Sequence, residues 1–176
     1  MGCGKTTVGL LLARQLAWRF EDLDLRIEEH AGLGIPAIFE KFGEPAFRQM
    51  EADQLAACLG RAAESREPVV LALGGGTYAQ PGVIERLRAA GVAVVWLDCP
   101  VEMLLARCVT MTNRPLLKDE ISFSALLASR LPFYQQADYR VPGDGDPARV
   151  VERILALPAI ARMAGTAEHS SRAGTP

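Results

Sequence analysis

The residues best suited to chemistry begin at the chain's start. Gly2-Cys3-Gly4-Lys5-Thr6-Thr7 is the second half of the pattern G-x-x-x-x-G-K-[ST]. In that pattern glycines let backbone N–H groups turn inward around phosphate oxygens. The helix that follows aims its positive end at the same anion. Lys5 then reaches the β- and γ-phosphates, and the Thr6 hydroxyl binds Mg²⁺. The pattern's first glycine belongs five residues before Gly4, ahead of Met1, as does the buried strand that leads into such a loop. A glycine-rich helix entry with no ligand is the competing reading of these six residues.

Three further groups could act with this loop. Asp22 and Asp24 are carboxylates one residue apart at the end of a short extended segment. On a strand they point to opposite faces and can serve different partners; the alternative is a pair of solvated acids. Arg48 and Arg130 each carry a planar, always-charged fork that pairs with a carboxylate through two hydrogen bonds. Arg48 could equally pair along its own helix with Glu44 or Glu51. Gly74-Gly75-Gly76 follows an apolar run. Three glycines contribute no packing and cost chain entropy, which makes sense where backbone must approach something closely.

The elements that position these groups alternate between strand and helix. Lys5 to Trp18 has an apolar face at helical spacing, through Val8, Leu11, Leu12 and Leu16. Helices are expected from Leu25 to His30, Pro36 to Phe42, Pro45 to Ala63, Pro81 to Ala90, Val101 to Arg107 and Pro147 to Leu157. Another spans Ser122 to Gln136, interrupted near Pro132. Val69–Leu73 and Val92–Leu97 are continuous apolar runs of the kind buried on both faces of a parallel sheet. Tyr139–Val141 is a shorter strand candidate. This alternation predicts an open α/β sheet covered by helices on both faces, with ligands at the carboxyl ends of the strands.

Composition narrows the function classes. The 176 residues carry a net charge of −2, which gives no whole-chain reason to expect nucleic acid or an anionic membrane as partner. No apolar run reaches the roughly 20 residues of a membrane span, and the start is not a signal peptide. Cys3, Cys58, Cys99 and Cys108 form no CxxC pair and have no histidine partners, which argues against zinc and for thiols in a reducing cytoplasm.

Read together and in order, six segments resemble shikimate kinase. They are Met1–Thr7, Asp22-Leu-Asp24 with Ile27-Glu28, Gly43–Arg48, Gly74–Gly76, Asn113-Arg-Pro-Leu-Leu117 and Arg130–Tyr134. The resemblance implies a three-layer α/β/α P-loop kinase over residues 1–160, with sheet order 2-3-1-4-5 and strand 1 missing from this chain. It implies a lid at about 109–121, and composition reads 161–176 as a disordered tail. By resemblance the nucleotide is held by Gly2, Cys3, Gly4, Lys5, Thr6, Thr7, Arg107 and Arg114, with Mg²⁺ on Thr6 and, through water, Asp22. The acceptor is held by Asp24, Arg48, Gly74, Gly75, Gly76 and Arg130. Lys5, Asp24 and Arg114 are the implied catalytic residues. The implied reaction is ATP-dependent phosphorylation of shikimate by a cytoplasmic monomer with no nucleic-acid or membrane partner. The absent half of the loop raises a truncated start and weak activity as expectations. The rivals are a related kinase, such as one for gluconate, and a non-catalytic binding relative.

Overall fold

A computed structural model describes residues 2–65, 67–109 and 120–172. Helix α1 (Lys5–Leu16) buries Val8, Gly9, Leu12 and Ala13 along one side, the apolar stripe read from the sequence. Its end at Ala17 turns left-handed, φ 53°, and sends the chain into β1 (Arg19–Asp22). Helix α2 (Leu23–Ala31) starts at once, capped by Asp22. Asp24 therefore stands in the first helical turn and not on a strand, which corrects the opposite-faces expectation for the two carboxylates.

Helix α3 (Ile35–Ser65) contains both expected helices, divided at Gly43, where φ is 76° and ψ 172°. Strand β2 (Val69–Ala72) follows, then a 3₁₀ turn at Thr77–Ala79 and helix α4 (Val83–Ala89). Strand β3 (Val95–Asp98) starts later than its apolar run. The amide of Val92 instead bonds to Leu87 O at the end of α4, and that of Val94 to Asp138. Helix α5 (Val101–Val109) precedes α6 (Glu120–Tyr134), which runs unbroken through Pro132. The proline removes one backbone bond, while Phe123, Phe133 and Tyr134 hold the helix into the core. Strand β4 (Tyr139–Pro142) and helices α7 (Pro147–Leu155) and α8 (Pro158–Arg172) complete the described chain. Helix α8 runs through most of the stretch read as an unfolded tail. Pro158 suits a first helical position, Ala159, Ala161 and Ala164 favour helix, and Ile160 is buried. No described helix is long and apolar enough to cross a membrane.

The strands form two parallel pairs. Arg19 to Asp22 lie in register with Val69 to Ala72, and Val95 to Asp98 with Tyr139 to Pro142. No hydrogen-bonded ladder joins β2 to β3. The two ladders match the 2-3 and 4-5 pairs of the expected order 2-3-1-4-5. Two apolar cores cover the two faces. One gathers α1, α5, α6, α7 and α8 against β3 and β4; the other gathers α2, α3 and α4 with β2. Each core spans both halves: Val70 of β2 joins the first, and Val94 and Tyr134 join the second.

At the outer edge of β1 the buried Glu21 accepts from Arg19 at 3.0 Å, Arg26 at 3.2 Å, Arg61 at 2.8 Å and the Cys58 thiol at 3.2 Å. Burial alone would raise its carboxyl, but the bonds from Arg61 and Cys58 and the arginine charges outweigh that and hold it below the usual range. Glu21→Ala is expected to cost roughly 2–3 kcal/mol in urea unfolding at pH 7, the lower end for a broken buried pair because the arginines are partly exposed. The folded pKa is depressed, so this stabilisation is present above the unfolded value of about 4.3 and is lost as pH falls through the folded one. The gap between wild type and variant should narrow below about pH 4; a gap constant from pH 7 to 3 would contradict this account.

Candidate active site

Gly4 precedes α1 with φ +81° and supplies no side-chain cap. That left-handed turn suits glycine, and it leaves the amides of Lys5, Thr6 and Thr7 without intrahelical acceptors. The first helical bond runs from Val8 N to Gly4 O. Cations surround this uncapped end. Lys5 Nζ lies 3.7 Å from Cys3 Sγ, and Arg107 of α5 donates to Gly2 O at 3.1 Å. The Cys3 thiol is lowered to about 4, chiefly by a hydrogen bond from Cys99, with Lys5 assisting against burial. Cys99 is correspondingly raised and keeps its proton.

Asp22 joins this end to the rest of the site. Its Oδ2 accepts from Thr6 Oγ1 at 2.6 Å, and its Oδ1 accepts from the amide of Asp24 at 3.0 Å. One carboxylate thereby ties the first turn of α1 to the first turn of α2. A threonine hydroxyl beside a carboxylate is an oxygen set suited to Mg²⁺ that already carries phosphate and water ligands. Among the described residues there is no cluster of three His, Cys, Asp or Glu that could hold a metal unaided.

The glycine run is the floor of the second half. A Cβ on Gly74 would stand 2.6 Å from Asp24 Oδ1, 2.9 Å from Thr77 Oγ1 and 3.4 Å from Glu51 Oε1. A Cβ on Gly76 would stand 3.0 Å from both Arg130 Nη2 and Arg48 Nη1. The missing side chains thus make room for one carboxylate and two guanidinium groups within a three-residue stretch. Arg130 is only 8% exposed. Arg48 is held by Glu44 and by Glu51, the latter at 2.9 Å, so the pairing considered from helical spacing is real. It does not remove Arg48 from the site. Tyr134 donates to Gly75 O, and burial raises its hydroxyl, which keeps it a donor.

The residues read from the sequence therefore fall into two adjoining groups. Gly2, Cys3, Gly4, Lys5, Thr6, Thr7 and Arg107 surround the anion end, and Asp24, Arg48, Gly74, Gly75, Gly76 and Arg130 surround the other, with Asp22 between. Arg114 and most of the expected lid lie outside the described residues. Sequence reasoning gave no site role to Glu51, Thr77 and Tyr134. Glu51 is 2% exposed and bonded to Thr77 Oγ1 at 2.6 Å. It was detectable: Phe47, Glu51, Leu55 and Cys58 form one buried helical stripe, and a carboxylate in such a stripe needs fixed partners.

Because Asp22 caps α2, Asp22→Ala should cost about 1 kcal/mol and lower the melting temperature by roughly 2–4 °C. Asp22→Ser, which retains a cap, should recover most of that loss in the same thermal scan. Equal losses for the two variants would show that the cap is not what Asp22 contributes.

Comparison with known proteins agrees with this geometry. The family model described as "Shikimate kinase" matches residues 1–158. A shikimate kinase from Moorella thermoacetica is 41% identical over 157 residues, covering 88% of this chain and 87% of that protein. The solved shikimate kinase from Acinetobacter baumannii, in complex with shikimate, superposes with a TM-score of 0.80 at 41% identity, covering 88% of this chain and 86% of that one. A gluconokinase from Sinorhizobium meliloti superposes at 0.59 with 21% identity, covering 97% and 93%, a likeness of fold alone. With a P-loop kinase fold, the six ordered segments and a family match over nearly its whole length, the chain belongs to the shikimate kinase family.

Proposed function

We propose that this chain transfers the γ-phosphate of ATP to the 3-hydroxyl of shikimate. The observation that carries the reading is the convergence on Gly74–Gly76. A ring acid with its carboxylate on Arg48 and Arg130 presents its hydroxyls toward Asp24, on the side where Asp22 and Thr6 connect to the phosphate loop. That arrangement recognises a molecule with an acid at one edge and alcohols at the other.

The chemistry follows from position and charge. The amides of Lys5, Thr6 and Thr7 and the Lys5 ammonium receive the nucleotide phosphates. Thr6, with Asp22 acting through water, would hold Mg²⁺, which neutralises phosphate charge when bound. Asp24 orients the attacking hydroxyl and accepts its proton as the new P–O bond forms. The bond to the β-phosphate oxygen breaks and ADP leaves. Arg107 adds positive charge beside the loop, and Arg114 takes the charge-neutralising role over the transferring group. Thr77 and Glu51 act by positioning: they fix Arg48 and the glycine turn. The reading places the protein in the cytoplasm, as a monomer acting on two small molecules.

Thermal stability reads the two binding sites separately. Shikimate and ATP–Mg²⁺ should each raise the melting temperature; a rise with shikimate alone would make the chain a binding relative. Gluconate phosphorylation without shikimate phosphorylation would refute the substrate assignment.

Within the pocket, Gly76→Ala puts a methyl 3.0 Å from both guanidinium groups without backbone strain, since φ is −100°. Its KM for shikimate should rise at least about tenfold, a loss of roughly 1.4 kcal/mol, with KM for ATP little changed. Asp24→Asn should lower kcat by about 10²–10⁴-fold at nearly constant KM for ATP. Unchanged shikimate kinetics in both variants would mean that the acid binds elsewhere.

A further inference from the structure

Gly74 to Thr77 make a tight turn beside Arg48 and Arg130. The amide of Thr77 donates to Gly74 O at 3.2 Å, the bond that closes a β-turn. Gly75 and Gly76 are its central residues. Gly76 has φ −100° and ψ −20°, and Gly75 lies outside the positive-φ region. This is the type I form. Type II differs by reversal of the peptide between the two central residues. It asks for positive φ at the second, which glycine supplies without strain. The glycines alone therefore let the Gly75–Gly76 peptide face either way.

Hydrogen bonds decide between the two. The next peptide is held twice, since Gly76 O accepts from Ala79 N and from Gln80 Nε2, each at 3.2 Å. The reversible peptide is held by a side chain from another element: Gly75 O accepts from the Tyr134 hydroxyl. The Tyr134 ring is itself fixed, packed against the second core with its centre 6.1 Å from that of Trp96. In a trans peptide the carbonyl and the following N–H point opposite ways. A carbonyl held by Tyr134 thus turns the Gly76 N–H away from the tyrosine. Gly76 is buried, and among the described residues its amide has no acceptor. Buried amides are ordinarily paired. This one belongs to the residue whose missing Cβ would stand 3.0 Å from both Arg48 and Arg130, so an unpaired donor and two guanidinium groups gather at one place.

We propose that Tyr134 is a positioning residue that selects the type I turn, so that the Gly76 amide, and not the Gly75 carbonyl, faces the acceptor's carboxylate. This inference rests on the acid acceptor proposed above. Without the hydroxyl the middle peptide is able to reverse. A reversed peptide sets a carbonyl oxygen, the negative end of its dipole, where the carboxylate binds. Tyr134 lies four residues after Arg130 on α6, one helical turn along the same face. The helix that supplies one cation to the acid therefore also orients the neutral donor beside it.

Tyr134→Phe keeps the ring against Trp96 and removes the hydroxyl. Shikimate is titrated by calorimetry into the whole chain and into the variant without nucleotide, and both are assayed with ATP–Mg²⁺. Kd and KM for shikimate should rise about tenfold or more, while kcat at saturating shikimate and KM for ATP stay within about twofold. A loosened fold would instead lower kcat and raise both KM values. The second readout is a ratio that the folded fraction does not affect: affinity for shikimate over affinity for its carboxamide, whose N–H groups can donate to a reversed Gly75 carbonyl. That ratio should fall about tenfold in the variant. Equal shikimate binding by the two proteins, or weaker binding with the ratio unchanged, would overturn the role given to Tyr134 and leave the acceptor assignment standing. Failure of the parent chain to bind shikimate would overturn the acceptor assignment, and this inference with it.

Discussion

The site depends on the placement of a single carboxylate. Asp22 accepts from Thr6 in the first turn of α1 and from the amide of Asp24 in the first turn of α2. The helix start whose amides lack intrahelical acceptors and the helix that carries Asp24 are thereby fixed in one frame. Neither bond is strong alone, since a net hydrogen bond is worth about 1 kcal/mol. Their value is geometric: phosphoryl transfer needs two reactants placed to a fraction of an ångström, and there is little covalent work for the protein to do.

Around that link the protein spends buried charge unevenly. Glu51 and Arg130 are buried and heavily bonded or enclosed, and so are fixed features of the pocket. Glu44, half exposed, holds the outer edge of Arg48. An exposed pair of this kind is worth little, so under the proposed function a substrate carboxylate replaces Glu44 at small cost while Glu51 keeps Arg48 in place. The glycines complete the arrangement by leaving room. At Gly74 and Gly76 the nearest neighbours are Asp24, Thr77, Arg48 and Arg130, so any larger residue would occupy the space that those groups use.

Much of this was legible in the sequence because it rests on local patterns. The half phosphate loop, the glycine run after an apolar strand, and the two arginines carry their chemistry in residue type and order. The misplacement of Asp24 has a local cause. Two carboxylates after Arg19-Phe20 look like a strand end, and the stronger signal, Asp22 as a helix cap, competes with it. Glu51 and Thr77 were harder, since their roles exist only when α3 and the glycine turn meet across the fold. The two-pair sheet was expected from the family's strand order. The unpaired Trp18 indole was not, because a lone tryptophan just past a helix end shows nothing of its surroundings until the chain has folded.

The central claim concerns a distance: phosphate and alcohol meet between Thr6 and Asp24. It is tested most directly by a crystal structure of this chain with shikimate and a non-hydrolysable ATP analogue. The account predicts the ring carboxylate on Arg48 and Arg130, one hydroxyl on Asp24, and that hydroxyl's oxygen about 3–3.5 Å from the γ-phosphorus. A ring turned so that its carboxylate lies away from both arginines, with no hydroxyl near Asp24, would contradict it.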